Sequence, residues 1–263
     1  MKIFLKISSI FLLAVLLFAG CRKTNDKNVF SEYDLVDESS KALIKINYNV
    51  SFYNNPGVQV RLNGVRVSGS NIQTRFPWPG GGFNTLGGST GDYLPIDPGK
   101  VDIAISVPKR GTSIDSLDVY KTTVETQAGK RYSLHVADTV VRKGLFVEED
   151  ASVPDSGFVR FRFVNLMANV PSMDLYIGTV KVASAIPFMG ISEKFTLPTS
   201  QANVSTVWAI RAAGATTNIV TYTSASTLLN KRVYTVFANG WNGYPATPTT
   251  ETRRPFVSFY YVR

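Results

Sequence analysis

The chain has 263 residues, with 28 lysines and arginines against 19 aspartates and glutamates, a formal charge of +9, one histidine and one cysteine. One histidine and one cysteine exclude a transition-metal site of the usual ligands, and a single cysteine excludes a disulfide framework. The cations are scattered along alternating segments rather than gathered in a run, which argues against nucleic acid as a partner and supports no more than a mild attraction to anionic polymers.

The chain opens on Lys2 and Lys6, followed by an apolar run from Ile7 to Phe18 that is short for a bilayer span. Leu17-Phe18-Ala19-Gly20-Cys21 then resembles the lipobox cut by lipoprotein signal peptidase, with Phe18 in place of the usual aliphatic residue. This resemblance implies a signal peptide over residues 1–20 and an acylated Cys21 as the new N-terminus. Lipidation also gives an exported chain without disulfides a reason to keep one thiol. Arg22 stands where an Asp could signal inner-membrane retention, so an outer-membrane anchor is expected, with its face, periplasmic or external, left open. Residues 22–40 are polar without apolar periodicity and read, together with Cys21, as a tether over 21–40.

From there the pattern is that of strands. Leu43, Ile44, Ile46 and Tyr48 alternate with Lys45 and Asn47, and Val58, Val60 and Leu62 with Gln59, Arg61 and Asn63. A period of two predicts one buried and one wet face, and no long stretch carries a helical period.

The second half repeats the first. Ile44-Lys45-Ile46-Asn47-Tyr48 lines up with Val159-Arg160-Phe161-Arg162-Phe163, and Val58-Gln59-Val60 with Met173-Asp174-Leu175. Phe76-Pro77-Trp78 lines up with Ile186-Pro187-Phe188, and Tyr132-Ser133-Leu134 with Tyr234-Thr235-Val236. The first repeat carries extra residues in the Gly-rich stretch from Pro77 to Gly91. The reading is all-β: two tandem immunoglobulin-like β-sandwich domains over residues 41–150 and 156–263, joined at Glu148-Glu149-Asp150 and Pro154-Asp155-Ser156-Gly157, with little linker and so limited bending.

Phe158-Val159-Arg160-Phe161-Arg162-Phe163-Val164-Asn165-Leu166 and Val170-Pro171-Ser172-Met173-Asp174-Leu175-Tyr176-Ile177 resemble the opening of the domain of unknown function 4397 family. Ile186-Pro187-Phe188 and Leu197-Pro198 resemble its later segments. The first repeat keeps the outline in Tyr53-Asn54-Asn55-Pro56 and Val58-Gln59-Val60 but lacks the Asp-Tyr pair, so the likeness is weaker there. The resemblance implies a β-sandwich in an envelope or secreted protein, and implies no catalytic residues, activity or cofactor; the lipobox and the aromatic-rich strands suggest a lipoprotein of Bacteroidetes type.

Chemistry is sparse. Gly87-Gly88-Ser89-Thr90-Gly91 spells the G-x-S-x-G of a nucleophile elbow, but it lies in a Gly-rich loop with no helix behind it, and the one histidine, His135, reads as a strand residue. Asp92, Asp97 and Asp102 are oxygen donors without a calcium-loop pattern. No constellation for catalysis or a metal results. The aromatics are the better lead: Trp78, Phe83 and Tyr93 in or beside the insertion, and Trp241 and Tyr244 in a second Gly-rich loop, could stack on a sugar or anchor a partner, or could instead cap the sandwich ends. Asp115-Ser116-Leu117 and Asp138-Thr139-Val140 resemble the Asp-Ser/Thr-aliphatic O-glycosylation signal, which makes Ser116 and Thr139 candidate acceptors. These features point to a non-catalytic envelope module that binds polysaccharide or a surface protein. The alternative is a structural spacer or accessory subunit of an outer-membrane assembly.

Overall fold

The computed structural model describes residues 37–200, 204–245 and 251–263. The expected signal peptide over 1–20, Cys21 and most of the expected tether lie outside the described residues. Short runs rich in Val, Ile, Phe and Tyr, punctuated by Gly, Pro, Asn and Asp, form the strands. The first half contains β1 (Ala42–Asn49), β2 (Gln59–Leu62), β3 (Val65–Arg66), β4 (Phe76–Trp78), β5 (Leu94–Ile96), β6 (Gly99–Pro108), β7 (Asp115–Thr126), β8 (Arg131–Ala137) and β9 (Lys143–Glu149). One sheet runs β4-β1-β8-β9, with β5 also on β1, and the other runs β3-β2-β6-β7. Ile44, Ile46, Tyr48, Val60, Ile105 and Leu134 are buried together between them.

The second half contains β10 (Phe158–Asn165), β11 (Ser172–Ile177), β12 (Val180–Pro187), β13 (Phe195–Pro198), β14 (Val207–Ala212), β15 (Val220–Thr223), β16 (Val233–Asn239) and β17 (Phe256–Tyr261). Its sheets, β13-β10-β16-β17 and β12-β11-β14-β15, repeat the strand order of the first half, and β10 runs parallel to β16 as β1 does to β8. Trp208 is fully buried in this core, with its ring 5.0 Å from Phe161 and 5.1 Å from Phe259. Its indole N–H donates to Thr227 Oγ1 at 2.9 Å, so the polar edge of the ring is satisfied where the rest is dry.

Strand pairing corrects one alignment. Ile46 pairs with Trp78 and Phe161 with Phe195, so the counterpart of Trp78 is Phe195, not Phe188. Both rings pack on the core of their own sandwich. Along β10 the edge strand β13 runs unbroken. Along β1 the same edge is split into β4 and β5, and residues 79–93 leave the sheet between them.

A second correction concerns the face predicted to be wet. Every residue of β1, β16 and β17 is buried, including Lys45, Asn47 and Asn49. The reason is that the β1-bearing sheet lies against the β17-bearing sheet. Ala137 and Leu145 pack with Val164, Phe237, Tyr260 and Val262 in a cluster between the two sandwiches. The sheets therefore form four layers with two inner sheets, and Asp37–Arg263 is one compact unit. Periodicity reports a difference in polarity between two faces, not which face meets water.

Candidate functional site

The insertion after Trp78 reaches across to the second sandwich. The amides of Tyr261 and Phe259 donate to the carbonyls of Gly81 (3.2 Å) and Phe83 (3.0 Å), which adds a short strand-like segment to the open edge of β17. Asn84 reinforces it, donating from Nδ2 to the Val257 carbonyl at 2.9 Å and accepting at its carbonyl from Ser258 Oγ at 2.7 Å. Gly82 is required by this approach, because a Cβ there would sit 1.9 Å from the Phe259 oxygen. Phe83 thereby enters the second core, with its ring 5.4 Å from Tyr261 and 5.9 Å from Tyr234. Phe83 is thus not an exposed ring on a loop, as the sequence reading has it. Tyr93 is a second correction: its hydroxyl is buried and its ring lies under the Lys45 ammonium, 4.3 Å from Nζ. Trp78 is half-buried against the first core.

Between the inner sheets lies a buried polar cluster. Lys45 Nζ donates to the Tyr261 carbonyl at 2.8 Å. Tyr260 Oη donates to Glu149 Oε1 at 2.6 Å, and Thr235 Oγ1 reaches the same oxygen at 3.3 Å. His135 shares a hydrogen bond with Asn47 Nδ2 at 3.0 Å on one ring nitrogen and with Tyr260 Oη at 3.3 Å on the other. Burial pushes His135 down to about 3, so the ring is neutral. Burial likewise lowers Lys45 to about 7, against the pull of Glu149 and Asp92. His135 thus couples the two sheets, and its partners are Asn47 and Tyr260 rather than the exposed Ser89.

The loops at the far end of the inner strands bring together residues that the sequence reading keeps apart. The Arg253 guanidinium lies 4.7 Å from the ring of Tyr53, in the β1–β2 loop, and 4.4 Å from that of Tyr244, in the β16–β17 loop. Tyr53 is 75% exposed. Glu251 binds Arg253 through both oxygens, at 2.8 and 2.7 Å, which holds its carboxyl well below the usual range. Half-buried Trp241 donates its amide to the Arg253 carbonyl at 2.8 Å. The preceding Gly240, at φ +91, lies where a Cβ would meet the Arg254 oxygen at 2.2 Å. Asn169 and Asn242 exchange two hydrogen bonds that tie the β10–β11 loop to this one. Beside them, Arg75 and Arg254 both stack on Phe256, at 3.5 and 4.6 Å. This end thus joins loops of both sandwiches, with exposed aromatic faces and three arginines. Tyr53, Arg75 and Arg253 were missed; the turn residues Asn54-Asn55-Pro56 and the pair Arg253-Arg254 before the last strand were the available signals.

At the opposite end, where the described chain starts at Asp37, a groove of about 880 Å³ is lined by Glu38, Lys130, Arg131, Glu148, Arg162 and Arg263 among others. Its charges largely pair with one another: Lys130 with Glu148 at 2.7 Å, Arg131 with Glu38 at 3.1 Å. The junction is no loose linker, for Asp150 pairs with Lys194 at 2.6 Å and Arg160 at 3.3 Å. Asp97 pairs with Lys41 and Asp102 accepts from Thr123, and no group of three His, Cys, Asp or Glu that could hold a metal lies among the described residues. Ser116 is exposed on β7, while Thr139 is half-buried in the turn after β8. Among the described residues no helix is long and apolar enough to cross a membrane.

The fold is that of an all-β protein made of paired sandwiches. Residues 48–176 match the model of the family described as Domain of unknown function (DUF4397), so this stretch of the chain belongs to that family. The match begins in β1 and ends in β11, and so lies mostly on the first sandwich, where the quoted sequence likeness is the weaker. No curated protein matches the chain. Among solved structures it is similar to the fimbrial anchor protein Mfa2 from Porphyromonas gingivalis, at 10% identity and TM-score 0.23, over 84% of this chain and 97% of that one. It is also similar to a carbohydrate-binding module of family CBM26 from Eubacterium rectale Amy13K, solved with maltoheptaose, at 12% identity and TM-score 0.22, over 77% and 98% of the two chains. At these scores neither likeness carries an argument about function.

Proposed function

We propose that this is a non-catalytic cell-envelope lipoprotein acting as a binding or adhesion module. In this reading residues 1–20 are removed, Cys21 carries the lipid in the outer membrane, residues 21–40 are the tether, and sandwich domains follow over 41–150 and 156–263. The observation that carries it is the far end described above, where Tyr53, Trp241 and Tyr244 from both halves gather around Arg253. β1 has eight residues, so this end stands about 26 Å along the strand from Ala42. A tether that ends at residue 40 then leaves the aromatic end facing away from the membrane. Flat rings held by short loops present apolar faces at low entropic cost, which suits the faces of sugars. Trp78, Phe83 and Tyr93 serve the core and the contact between sandwiches, and Ser116 and Thr139 are acceptors for O-glycosylation. The stacked inner sheets also favour the second reading, a stiff spacer or accessory subunit, because four packed layers resist bending.

Retention of the unacylated chain on a panel of immobilised polysaccharides tests this, with Trp241→Ala and Tyr244→Ala beside it. Binding is expected and should fall in both folded variants. Absence of retention on every polymer would overturn the polysaccharide partner and leave a surface-protein partner or the spacer reading in its place.

A further inference from the structure

We infer that a depression at the far end of the first sandwich holds the phosphate group of a phosphorylated sugar. This deepens the binding reading above and rests on it. The depression, of about 630 Å³, is lined by Arg66, Ser70, Lys109, Arg110 and Ser113 among others, with no acidic residue in its wall. Among the described residues none of Arg66, Lys109 and Arg110 pairs with a carboxylate. The groove near Asp37 differs in this respect, because Lys130, Arg131 and Lys194 there already face carboxylates. Pro56 also lines the depression and belongs to the loop that carries exposed Tyr53, so a sugar held here by its phosphate lies beside the aromatic end.

The internal repeat shows how these cations come to lack counterions. Arg61 faces Arg66 across the β2–β3 ladder as Tyr176 faces Lys181 across β11–β12, so Arg66 is the counterpart of Lys181, and Gln59 that of Asp174. Lys181 binds Asp174 at 2.8 Å, whereas Gln59 offers Arg66 no charge. The Asp115 carboxylate does not take that place, because it accepts from Gln59, Ser106 and Arg61. The β14–β15 turn reads Ala213-Gly214-Ala215 where the β6–β7 turn reads Lys109-Arg110-Gly111. The first sandwich thus differs from the second by one counterion fewer and two cations more. Its walls are fixed by hydrogen bonds: the Lys109 amide donates to the Ile114 carbonyl at 2.8 Å, and Gln59 and Arg61 donate to the Ser113 carbonyl at 3.0 and 2.8 Å. Gly57 packs so closely on Ser70 that a Cβ would sit 2.2 Å from its carbonyl oxygen. A phosphate monoester carries about two negative charges and three acceptor oxygens at neutral pH, which three cations can share. A carboxylate offers one charge and two oxygens.

The test follows binding of glucose 6-phosphate, inorganic phosphate, glucuronate and glucose by calorimetry and amide chemical shifts. The protein is the chain from residue 21 on, with Cys21→Ser to keep it unacylated. Glucose 6-phosphate is expected to bind tightest, to move the amides of Gly111 and Ser113, and to weaken as salt is raised. Arg66→Gln and Arg110→Gln should each weaken it roughly tenfold, the loss expected for a hydrogen-bonded charge. Lys100→Gln, which removes an exposed cation at the other end of β6, should change little. Thermal melts verify that the variants fold. Glucuronate binding as tightly as glucose 6-phosphate would overturn the phosphate assignment, and inorganic phosphate binding as tightly would overturn the sugar. An Arg66→Gln variant no weaker than Lys100→Gln would overturn the site. If glucose 6-phosphate does not bind while retention on a neutral polymer still depends on Trp241, this inference falls and the broader reading stands. Binding of glucose 6-phosphate without retention on any polymer would keep the phosphate site and overturn the polysaccharide partner of that reading.

Discussion

Lys45 Nζ lies 2.8 Å from the Tyr261 carbonyl, a cation of the first sandwich held by the backbone of the last strand of the second. The contact is fully buried and crosses the two inner sheets, so removing a proton from Lys45 changes the cost of stacking them. The folded-state value near 7 lies below the ordinary 10.5 of a lysine in an unfolded chain. Below pH 7 both states hold the proton and the penalty of burying the charge is complete. Between 7 and 10.5 only the unfolded chain holds it, so stability rises with pH across that window, by on the order of a few kcal/mol. Urea midpoints measured from pH 7 to 10 should increase, and Lys45→Met should flatten the increase.

His135 gives the opposite end of the pH scale. Its folded value of about 3 against 6.5 means that the native protein is fully stable above 6.5 and loses stability as pH falls toward 3, because only the unfolded chain binds the proton there. Acid unfolding of His135→Phe should therefore begin at lower pH than in the parent chain. An unchanged acid midpoint would mean that other groups set the transition.

Tyr260→Phe removes the donor to Glu149, a carboxylate that is 6% exposed, and also the partner of His135. A buried carboxylate short of one hydrogen bond costs about 1–3 kcal/mol. Denaturant unfolding should show a loss of that size, while Tyr53→Phe at the exposed end should lie within about 0.5 kcal/mol of the parent.

Phe83→Ala empties part of the second core from a segment that belongs to the first half, and a loss of about 2 kcal/mol is expected for a half-buried ring. Gly82→Ala should do more, since its methyl meets the Phe259 oxygen. Both should lower hydrogen-exchange protection of the Phe259 and Tyr261 amides, whose acceptors are the Phe83 and Gly81 carbonyls. If those amides stay protected, the insertion does not close the β17 edge in solution.

Much of the fold is legible in the sequence. The alternation in Ile44-Lys45-Ile46-Asn47-Tyr48 and its echo in Val159-Arg160-Phe161-Arg162-Phe163 correspond to β1 and β10, the equivalent strands of two sheets with one order. What the pattern does not carry is the cover over the polar face. Lys45, Asn47 and His135 have the chemistry of a wet surface, but Lys45 and His135 find partners on β17, at the Tyr261 carbonyl and the Tyr260 hydroxyl, and Asn47 pairs with His135 beside it. The extent of the insertion was readable from its Pro and Gly, while its destination depends on a β17 edge more than 170 residues away. The far end was half visible. Trp241 and Tyr244 stand out in a Gly-rich loop that Arg253 closes, whereas Tyr53 joins them only once the sandwiches stack.

The central claim is that a single binding surface is built from loops of both sandwiches at the far end. Its most direct test is a map of backbone-amide chemical shifts as a short oligosaccharide of a retained polymer is added. The account predicts shifts clustered at Tyr53, Arg75, Trp241, Tyr244 and Arg253–Arg254, from both halves at one common affinity. Shifts confined to one half, or centred on the groove around Arg131 and Glu148, would contradict it.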